Sequence, residues 1–222
     1  MLFRSHAARI NESFFLRSLQ DHAEDVGVVV LADIWVAGGI VSRGDCILEP
    51  EDLRGKTVRA SNKYYERMAT EMGAAVAEMA PVEISGSLAA GLIDVATATS
   101  DNLVQLKLYE QVQCLTAPGD HPPMMIYEPI VIAKATWEQL SQSQRRVLQK
   151  AADKVETWAA DAARGADRAM VETFERRGVR VVTMSADQAK RWRQLAIDTA
   201  IADFRKDNPA TGPLIDLALK VD

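Results

Sequence analysis

The spacing of apolar and polar residues predicts strands and helices that alternate along the first half of the chain. Val26 to Val36 is a continuous apolar run, which predicts a strand buried on both faces in a parallel sheet. The glycine-bearing stretch that follows, residues 37–45, is predicted to be extended and suits a linker that bends. Strands are then predicted near 56–60, 75–79, 91–99 and 112–117, separated by helices near 62–72, 82–90 and 102–110. This order is typical of an α/β layer architecture.

The second half of the chain predicts one strand, "MMIYEPIVIA" at 124–133, and then a very long helix from Thr136 to about Arg177. Its apolar stripe follows a three-four spacing through Leu148, Ala151, Val155, Trp158 and Ala162. A helix of that length after two α/β halves can connect both of them. A strand at 179–184 and helices near 186–205 and 213–220 close the chain. We therefore predict a two-lobed molecule with a cleft.

Composition narrows the function classes. Of the 222 residues, 26% are charged and 48% apolar, as in ordinary globular proteins, and the net charge of -5 does not favour nucleic-acid binding. No apolar run approaches the ~18 residues of a membrane span, and the first residues lack the pattern of an export signal. Cys46 and Cys114 are compatible with one disulfide or with two buried thiols.

Motifs that carry catalysis are not found in the sequence. His6, His22 and His121 are isolated and lack the spacing of metal ligands. The glycines of "GGIVSRG" do not lead from a strand into a helix, as a phosphate-binding loop requires. We therefore predict neither an enzyme, nor a metal site, nor a cofactor.

Arg59 is the strongest candidate for a binding residue. It ends a short predicted strand, and open α/β sheets bind ligands at the carboxyl ends of their strands. A planar guanidinium that forks onto a carboxylate is one reason for an arginine there. The alternative is an internal salt bridge from Arg59 to an acid such as Glu83 or Asp94.

Hydroxyl and aromatic side chains supply further candidates. Thr97, Thr99 and Ser100 lie at the end of the strand after Asp94, where their hydroxyls can face the same crevice or can cap a helix. Aromatic side chains can wall a small-molecule site, although core packing also explains them: Trp35, Tyr64, Tyr65 and Tyr127.

Several stretches, in this order, resemble the DctP-type solute-binding proteins of TRAP (tripartite ATP-independent periplasmic) transporters: "EDLRGKTVRAS", "EMGAAVAEMAPVEISGSLAAGLIDVA", "KLYEQV" and "TWEQLSQSQRRVLQKAADKVETWA". The resemblance runs from about residue 10 through essentially the whole chain. It implies a two-lobed, periplasmic-binding-protein-like (type II) fold that closes on a small organic acid. It also implies a periplasmic location, delivery of the acid to the membrane permease of the transporter, and compatibility with a homodimer.

The resemblance assigns site residues. Arg59 matches the arginine that pairs with the ligand carboxylate, and Asn62 matches a position three residues later that reaches the ligand in some members. The return strand places Tyr127 and Glu128 near the cleft. Trp35, one of the aromatic candidates named above, is added to the expected ligand contacts independently of the resemblance.

This chain departs from the family pattern at two places. Ala98 stands where the family often has an asparagine that touches the ligand. Gly38 and Gly39 stand where many members carry a second arginine. These differences imply a different acid or a weakened site.

The resemblance also predicts how the chain divides. Residues 1–38 and 125–165 would form the first lobe, N-terminally truncated, and residues 39–124 and 166–222 the second. The strands at 26–31 and 130–132 would then have unpaired edges and uncovered apolar faces. The alternatives are a cytosolic enzyme or regulatory ligand-binding domain on a similar α/β fold, or a fragment that has no function or pairs with another chain.

Overall fold

The computed structural model describes residues 9–221 of the protein, so His6 lies outside the described residues. Strands and helices alternate along most of this length. The strands are β1 (Val28–Ala32), β2 (Trp35–Ser42), β3 (Thr57–Ala60), β4 (Ala75–Glu78), β5 (Val95–Thr99), β6 (Cys114–Thr116), β7 (Met124–Tyr127), β8 (Ile130–Ala133) and β9 (Arg180–Val182).

The α-helices are α1 (Phe14–Asp25), α2 (Lys63–Glu71), α3 (Ile84–Ala90), α4 (Ser100–Gln105), α5 (Lys134–Gln139), α6 (Gln142–Arg176), α7 (Ala186–Ala196), α8 (Ala202–Asp207) and α9 (Gly212–Ala218). A π-helical segment, Ile197–Ile201, joins α7 to α8. Among the described helices, none is long and apolar enough to cross a membrane.

The chain forms two compact units, and the predicted α/β fold with two lobes and a long connecting helix is confirmed. Within the described residues, the first unit comprises 9–36, Ile126–Arg164 and 210–221, and the second comprises Ala37–Met125 and Gly165–Pro209. Helix α6 has residues in both units. The first three boundaries between the units are at 36/37, 125/126 and 164/165, whereas the sequence predicts them at 38/39, 124/125 and 165/166. The C-terminal segment differs from the predicted division, because α9 packs against α1 of the first unit.

The second unit is built on a mixed sheet. Its strand order is β4-β3-β5-β2-β6-β9, and β7 also pairs with β2. Strand β3 runs parallel to β4 and β5, whereas β2 runs antiparallel to β5 and β6. The stretch at 37–45 was predicted as an extended segment suited to a linker; residues 37–42 are extended, as part of β2 within the sheet. Hydrogen bonds to β5 and β6 hold residues 38–42 in this extended conformation despite the flexibility of two glycines.

Apolar clusters pack against both faces of this sheet. The larger cluster unites strands with α3, α4 and the second half of α6; its fully buried members include Val41, Ala96, Leu103, Met170 and Phe174. The second cluster lies under α2; its buried members include Ile40, Leu53, Val58, Ala69 and Val95. A disulfide between Cys46 and Cys114 joins the loop after β2 to β6, which resolves the two alternatives for these cysteines.

The first unit contains a two-stranded antiparallel sheet, β1 with β8. The prediction of one strand over Val26 to Val36, buried on both faces in a parallel sheet, was therefore wrong. The chain breaks at Asp33, whose backbone N–H donates to the Glu156 carboxylate at 2.5 Å, and most of β1 is only half-buried. Ile130 and Val131 of β8 are exposed, as expected for uncovered apolar faces.

Two further predictions about element boundaries were wrong. The single helix expected from Thr136 is two helices, since Ser141 caps α6 by exchanging hydrogen bonds with Gln144. The expected strand at 124–133 is likewise two strands, β7 and β8, separated at Glu128 and Pro129.

The buried face of the long helix also differs from the apolar stripe that the sequence predicts. Ala152 and Ala159 are buried, whereas Ala151 and Trp158 are exposed. The buried face is therefore turned by one residue, about 100° around the helix axis, from the predicted stripe.

Candidate functional site

Arg59 lies near the carboxyl end of β3, where the sequence predicts a binding group. The turn at Gly55 precedes the strand, and Asn62 caps the following helix α2. Only 8% of the Arg59 surface is exposed. Its Nε and Nη2 donate to the carbonyl oxygen of Met79 at 3.3 and 3.2 Å. One edge of the guanidinium is thus held by the backbone that follows β4.

The buried charge of Arg59 is not neutralised by a carboxylate from the described residues. The two acids considered as partners are used elsewhere. Glu83 accepts from the backbone N–H of Ala80 at 2.7 Å. Asp94 accepts from the backbone N–H of Thr57 at 2.8 Å and lies 3.9 Å from Arg43. The internal salt bridge is therefore not formed with either acid.

The electrostatics of Arg59 favour an anionic ligand. Burial lowers the pKa of its guanidinium, but arginine stays protonated at neutral pH because its ordinary pKa is so high. A buried charge without a partner is costly, and an oppositely charged ligand removes that cost. Of its five N–H donors, those on the edge formed by Nη1 and Nη2 can donate two parallel hydrogen bonds to a carboxylate.

The sheet places the other polar candidates relative to Arg59. Val58 of β3 pairs beside Val95 of β5, and both valines belong to the cluster under α2. Because side chains alternate along a strand, Arg59 points to the opposite face. Ala98 shares that face with Arg59, while Thr97, which is buried, points toward α2.

Tyr65 of α2 is a residue whose role the sequence analysis left open between core packing and ligand contact. Its ring packs against the cluster under α2, and its buried hydroxyl has no hydrogen-bond partner of good geometry among the described residues. Burial raises the pKa of this hydroxyl to about 12, opposed by the nearby Thr97 side chain and the Arg59 charge. The structure therefore groups Tyr65 with Thr97 on the α2 face of the sheet, where the Arg59 charge still affects the pKa of the tyrosine hydroxyl.

Asn62 has a structural role as the N-cap of α2. Its Oδ1 accepts from the backbone N–H groups of Tyr64 and Tyr65, each at 3.0 Å, which satisfies the first turn of α2. The residue is exposed, and its Nδ2 is 3.4 Å from the hydroxyl of Ser61. Asn62 can offer a ligand only this amide donor while it caps the helix.

Thr99 and Ser100 follow Thr97 at the end of β5. Thr99 occupies the N-cap position of α4 without a capping hydrogen bond from its side chain, so its partly exposed hydroxyl is not used for capping. Ser100 is buried and donates to the carboxylate of Asp167 at 2.7 Å. Of this pair, Thr99 is the one with a partly exposed hydroxyl. It lies on the same face of β5 as Thr97, and only its position as the last residue of the strand lets it meet a ligand at the carboxyl edge of the sheet.

The glycines of β2 are required by close packing. A Cβ atom on Gly38 would lie 2.2 Å from the Cε of Met124 and 2.3 Å from the carbonyl oxygen of Ala98. A Cβ atom on Gly39 would lie 2.8 Å from the Cδ1 of Leu115. All three distances are far below normal van der Waals contact, so neither position can carry a side chain without rearrangement.

The remaining candidates lie in the first unit, in a network around Asp33. Tyr127 donates to the Asp33 carboxylate at 2.5 Å, and its ring lies 4.8 Å from that of Trp35. Burial, and then the Asp33 carboxylate, raise the pKa of the Tyr127 hydroxyl. Burial also raises the pKa of Glu156, and the Asp33 and Asp153 charges add to that effect. Glu128, next to Tyr127, donates its backbone N–H to the carbonyl oxygen of Ile34 at 2.8 Å.

Sequence reasoning missed Asp33 and Met79 as parts of these two networks. Asp33 interrupts an otherwise apolar run, which is a signal that was available. Met79 acts through its backbone carbonyl, which no residue type reveals. Within residues 9–221, no group of three or more His, Cys, Asp or Glu side chains is arranged as a metal site.

Comparison with known proteins places this arrangement in a family. The family model for the bacterial extracellular solute-binding proteins of family 7, DctP, matches residues 3–207. The chain belongs to this family. The resemblance found in the sequence is thereby confirmed, and so is the membership of a class of proteins that bind solutes.

Among curated relatives, a solute-binding protein of Albidiferax ferrireducens is 29% identical over 195 residues, which are 88% of this chain and 58% of the relative. A solute-binding protein of Chromohalobacter salexigens is 32% identical over 105 residues, 47% of this chain and 30% of the relative. The chain therefore spans less than two thirds of the length of these relatives.

Solved structures show the same fold. A TRAP periplasmic solute-binding protein from Rhodoferax ferrireducens, with bound malonate, superposes with a TM-score of 0.89 at 27% identity, covering 98% of this chain and 69% of that protein. Another, from Chromohalobacter salexigens with bound D-glucuronate, has a TM-score of 0.82 at 22% identity, covering 98% and 70%. At 22% identity the second likeness supports the fold alone.

Proposed function

We propose that this protein captures a small organic acid for a TRAP-type transporter, and that Arg59 holds the carboxylate of that acid. The observation that carries the proposal is the burial of the Arg59 charge without a carboxylate partner from the described residues. A group of this kind costs stability in the empty protein and gains a partner when an anion binds. Family membership supports the same role.

The Arg59 geometry supports a defined binding mode. Met79 occupies the edge formed by Nε and Nη2, which leaves the Nη1 and Nη2 edge for two parallel hydrogen bonds to a carboxylate. The hydroxyl of Thr99 and the amide of Asn62 would orient the rest of the ligand. Thr97 and Ser100 would act mainly by supporting their neighbours, since both are buried.

The proposal extends to location and partners. The protein would act in the periplasm and deliver its ligand to the membrane permease subunits of the transporter. The disulfide between Cys46 and Cys114 suits such an oxidising compartment. No catalytic step is proposed. The ligand contacts expected from Trp35, Tyr127 and Glu128, and a homodimer, stay predictions that substitutions and a mass measurement in solution would test.

A thermal-unfolding screen of the 222-residue chain against small carboxylic acids tests the proposal. A ligand at about 1,000 times its Kd should stabilise the native state by roughly 4 kcal/mol. Arg59→Ala should weaken binding by about 2–5 kcal/mol, because it removes the partner of a buried charge. Arg54→Ala, an exposed arginine before the same strand, is the matched control and should bind as the wild type does. Equal affinity in the Arg59 variant would refute the role of this residue.

A further inference from the structure

The surroundings of Arg59 restrict what the rest of its ligand can be. Of the buried residues that the structure describes, Arg59 alone carries a charge. The edge of its guanidinium that is not bonded to Met79, formed by Nη1 and Nη2, has the size of one carboxylate. A ligand with one carboxylate therefore satisfies the buried charge of this unit.

The neighbouring strand cannot supply a second cation. At Gly38 the space of a side chain is filled by Met124, and at Gly39 it is filled by Leu115 and Leu103. All three filling groups are apolar. An arginine or lysine at either glycine would have to displace them and would collide with backbone oxygen atoms at 2.3 and 2.9 Å from its Cβ.

Strand β5, which lies between Arg59 and these glycines, offers no charge either. Its side chains from Ala96 to Thr99 are methyl groups and hydroxyls. A hydroxyl can donate or accept one hydrogen bond, but it does not replace the hydration of an ionised carboxylate. A second carboxylate placed against this strand would lose water without gaining a cation.

We infer that the site selects monocarboxylates whose remaining part is uncharged and discriminates against dicarboxylates. The inference rests on the proposed role of Arg59 and adds the class of ligand. It separates this protein from its Rhodoferax ferrireducens relative, whose structure contains malonate, a dicarboxylate. The preference for monocarboxylates arises from the packed glycines of β2 and from the small, uncharged side chains of β5.

Two sets of acids, each with the same number of carbon atoms, test the inference on the 222-residue protein. Propanoate, lactate and malonate form one set; butanoate, 3-hydroxybutanoate and succinate form the second. The salts are compared at equal ionic strength, and affinities are obtained from the shift of the thermal midpoint with concentration. We expect the best monocarboxylate of a set to bind at least 10-fold more tightly than its dicarboxylate.

The outcomes separate the inference from the proposed function. A dicarboxylate that binds as tightly as its matched monocarboxylate, or more tightly, overturns the inference and leaves carboxylate binding intact. If neither class of acid shifts the midpoint, the proposed function fails and the inference fails with it.

A substitution sharpens the test by adding the missing charge. Ala98→Lys places a cation on the face of β5 that Arg59 shares, and Ala98→Gln adds a polar side chain without charge. We expect the lysine variant to shift the preference toward the dicarboxylate at least 10-fold relative to the glutamine variant. Equal preferences in two folded variants would contradict the placement of the ligand beside β5. If the variants do not fold, the wild-type comparison decides.

Discussion

The two units of the molecule bury their apolar residues very differently. The second unit has clusters on both faces of its sheet, and side chains such as Leu115 and Phe174 are completely inaccessible. In the first unit, Val131 of the two-stranded sheet is 49% exposed and Trp158 is 68% exposed. The candidate carboxylate-binding residue, Arg59, belongs to the well-packed second unit.

This difference teaches that stability and binding chemistry share one scaffold here. A buried charge such as Arg59 can be held in place only where the surrounding core is stable enough to offset its desolvation. The exposed apolar side chains of the first unit indicate an uncovered surface, since large apolar residues in contact with water contribute little to folding. We therefore expect substitutions of the same kind to have unequal effects in the two units.

The largest expected difference in stability is between substitutions of two aromatic residues on the same helix, α6. Phe174→Ala in the second unit should lower the free energy of unfolding by about 3–5 kcal/mol, because it leaves a cavity in a closed core. Trp158→Ala in the first unit should change it by less than about 0.5 kcal/mol, because the ring is mostly in water. Denaturant titration measures both, and similar losses would remove the distinction between the units.

The disulfide should contribute nearly as much to the second unit. Cys46 and Cys114 are separated by 68 residues, a loop whose closure corresponds to about 4 kcal/mol in the chain-entropy account. The double variant Cys46→Ala with Cys114→Ala should lose roughly that amount, as measured by denaturant titration against the oxidised protein. An undiminished free energy of unfolding would show that the loop is already constrained without the bond.

Glycine substitutions should have opposite signs in two places. Gly38→Ala in β2 should destabilise the protein by about 1–3 kcal/mol, because the new Cβ would collide with Met124 and Ala98. Gly165→Ala in α6 has open space around its Cβ and should stabilise the helix by about 0.5–1 kcal/mol. Thermal midpoints of the two variants check this, and a stable Gly38→Ala protein would contradict the packing argued for the ligand site.

The smallest expected effect concerns pH and the first unit. Since the pKa of Glu156 is raised in the folded protein, ionisation of this group opposes folding, and its cost appears as the pH rises above its ordinary pKa. Glu156→Gln keeps the acceptor for the Asp33 N–H and removes the charge. The variant should be more stable than the wild type at pH 7 and equally stable in acid. A difference that persists below pH 4 would indicate a lost contact instead.

Local sequence signals predicted the second unit well. Gly55, Gly73 and Gly91 have positive φ angles and mark ends of predicted elements, so the β3-α2-β4-α3 order could be read directly. The apolar run at 26–36 was interpreted wrongly, because such a run reveals hydrophobicity but not what covers it. Its break at Asp33 depends on Glu156, 123 residues away.

The candidate site could be predicted only in part for the same reason. Arg59 was identified because its position at a strand end is local information. The Met79 carbonyl that orients it and the Asp167 carboxylate that engages Ser100 are set by tertiary contacts between residues 20 and 67 positions apart. The steric need for Gly38 depends on Met124, which the sequence does not place next to it.

A crystal structure of the protein with the best-binding acid of the screen tests the central claim most directly. The account predicts a carboxylate whose two oxygens lie about 2.8 Å from Nη1 and Nη2 of Arg59, while Met79 keeps its hydrogen bonds to the other edge. A carboxylate bound elsewhere, with the Arg59 guanidinium not in contact with it, would contradict the account.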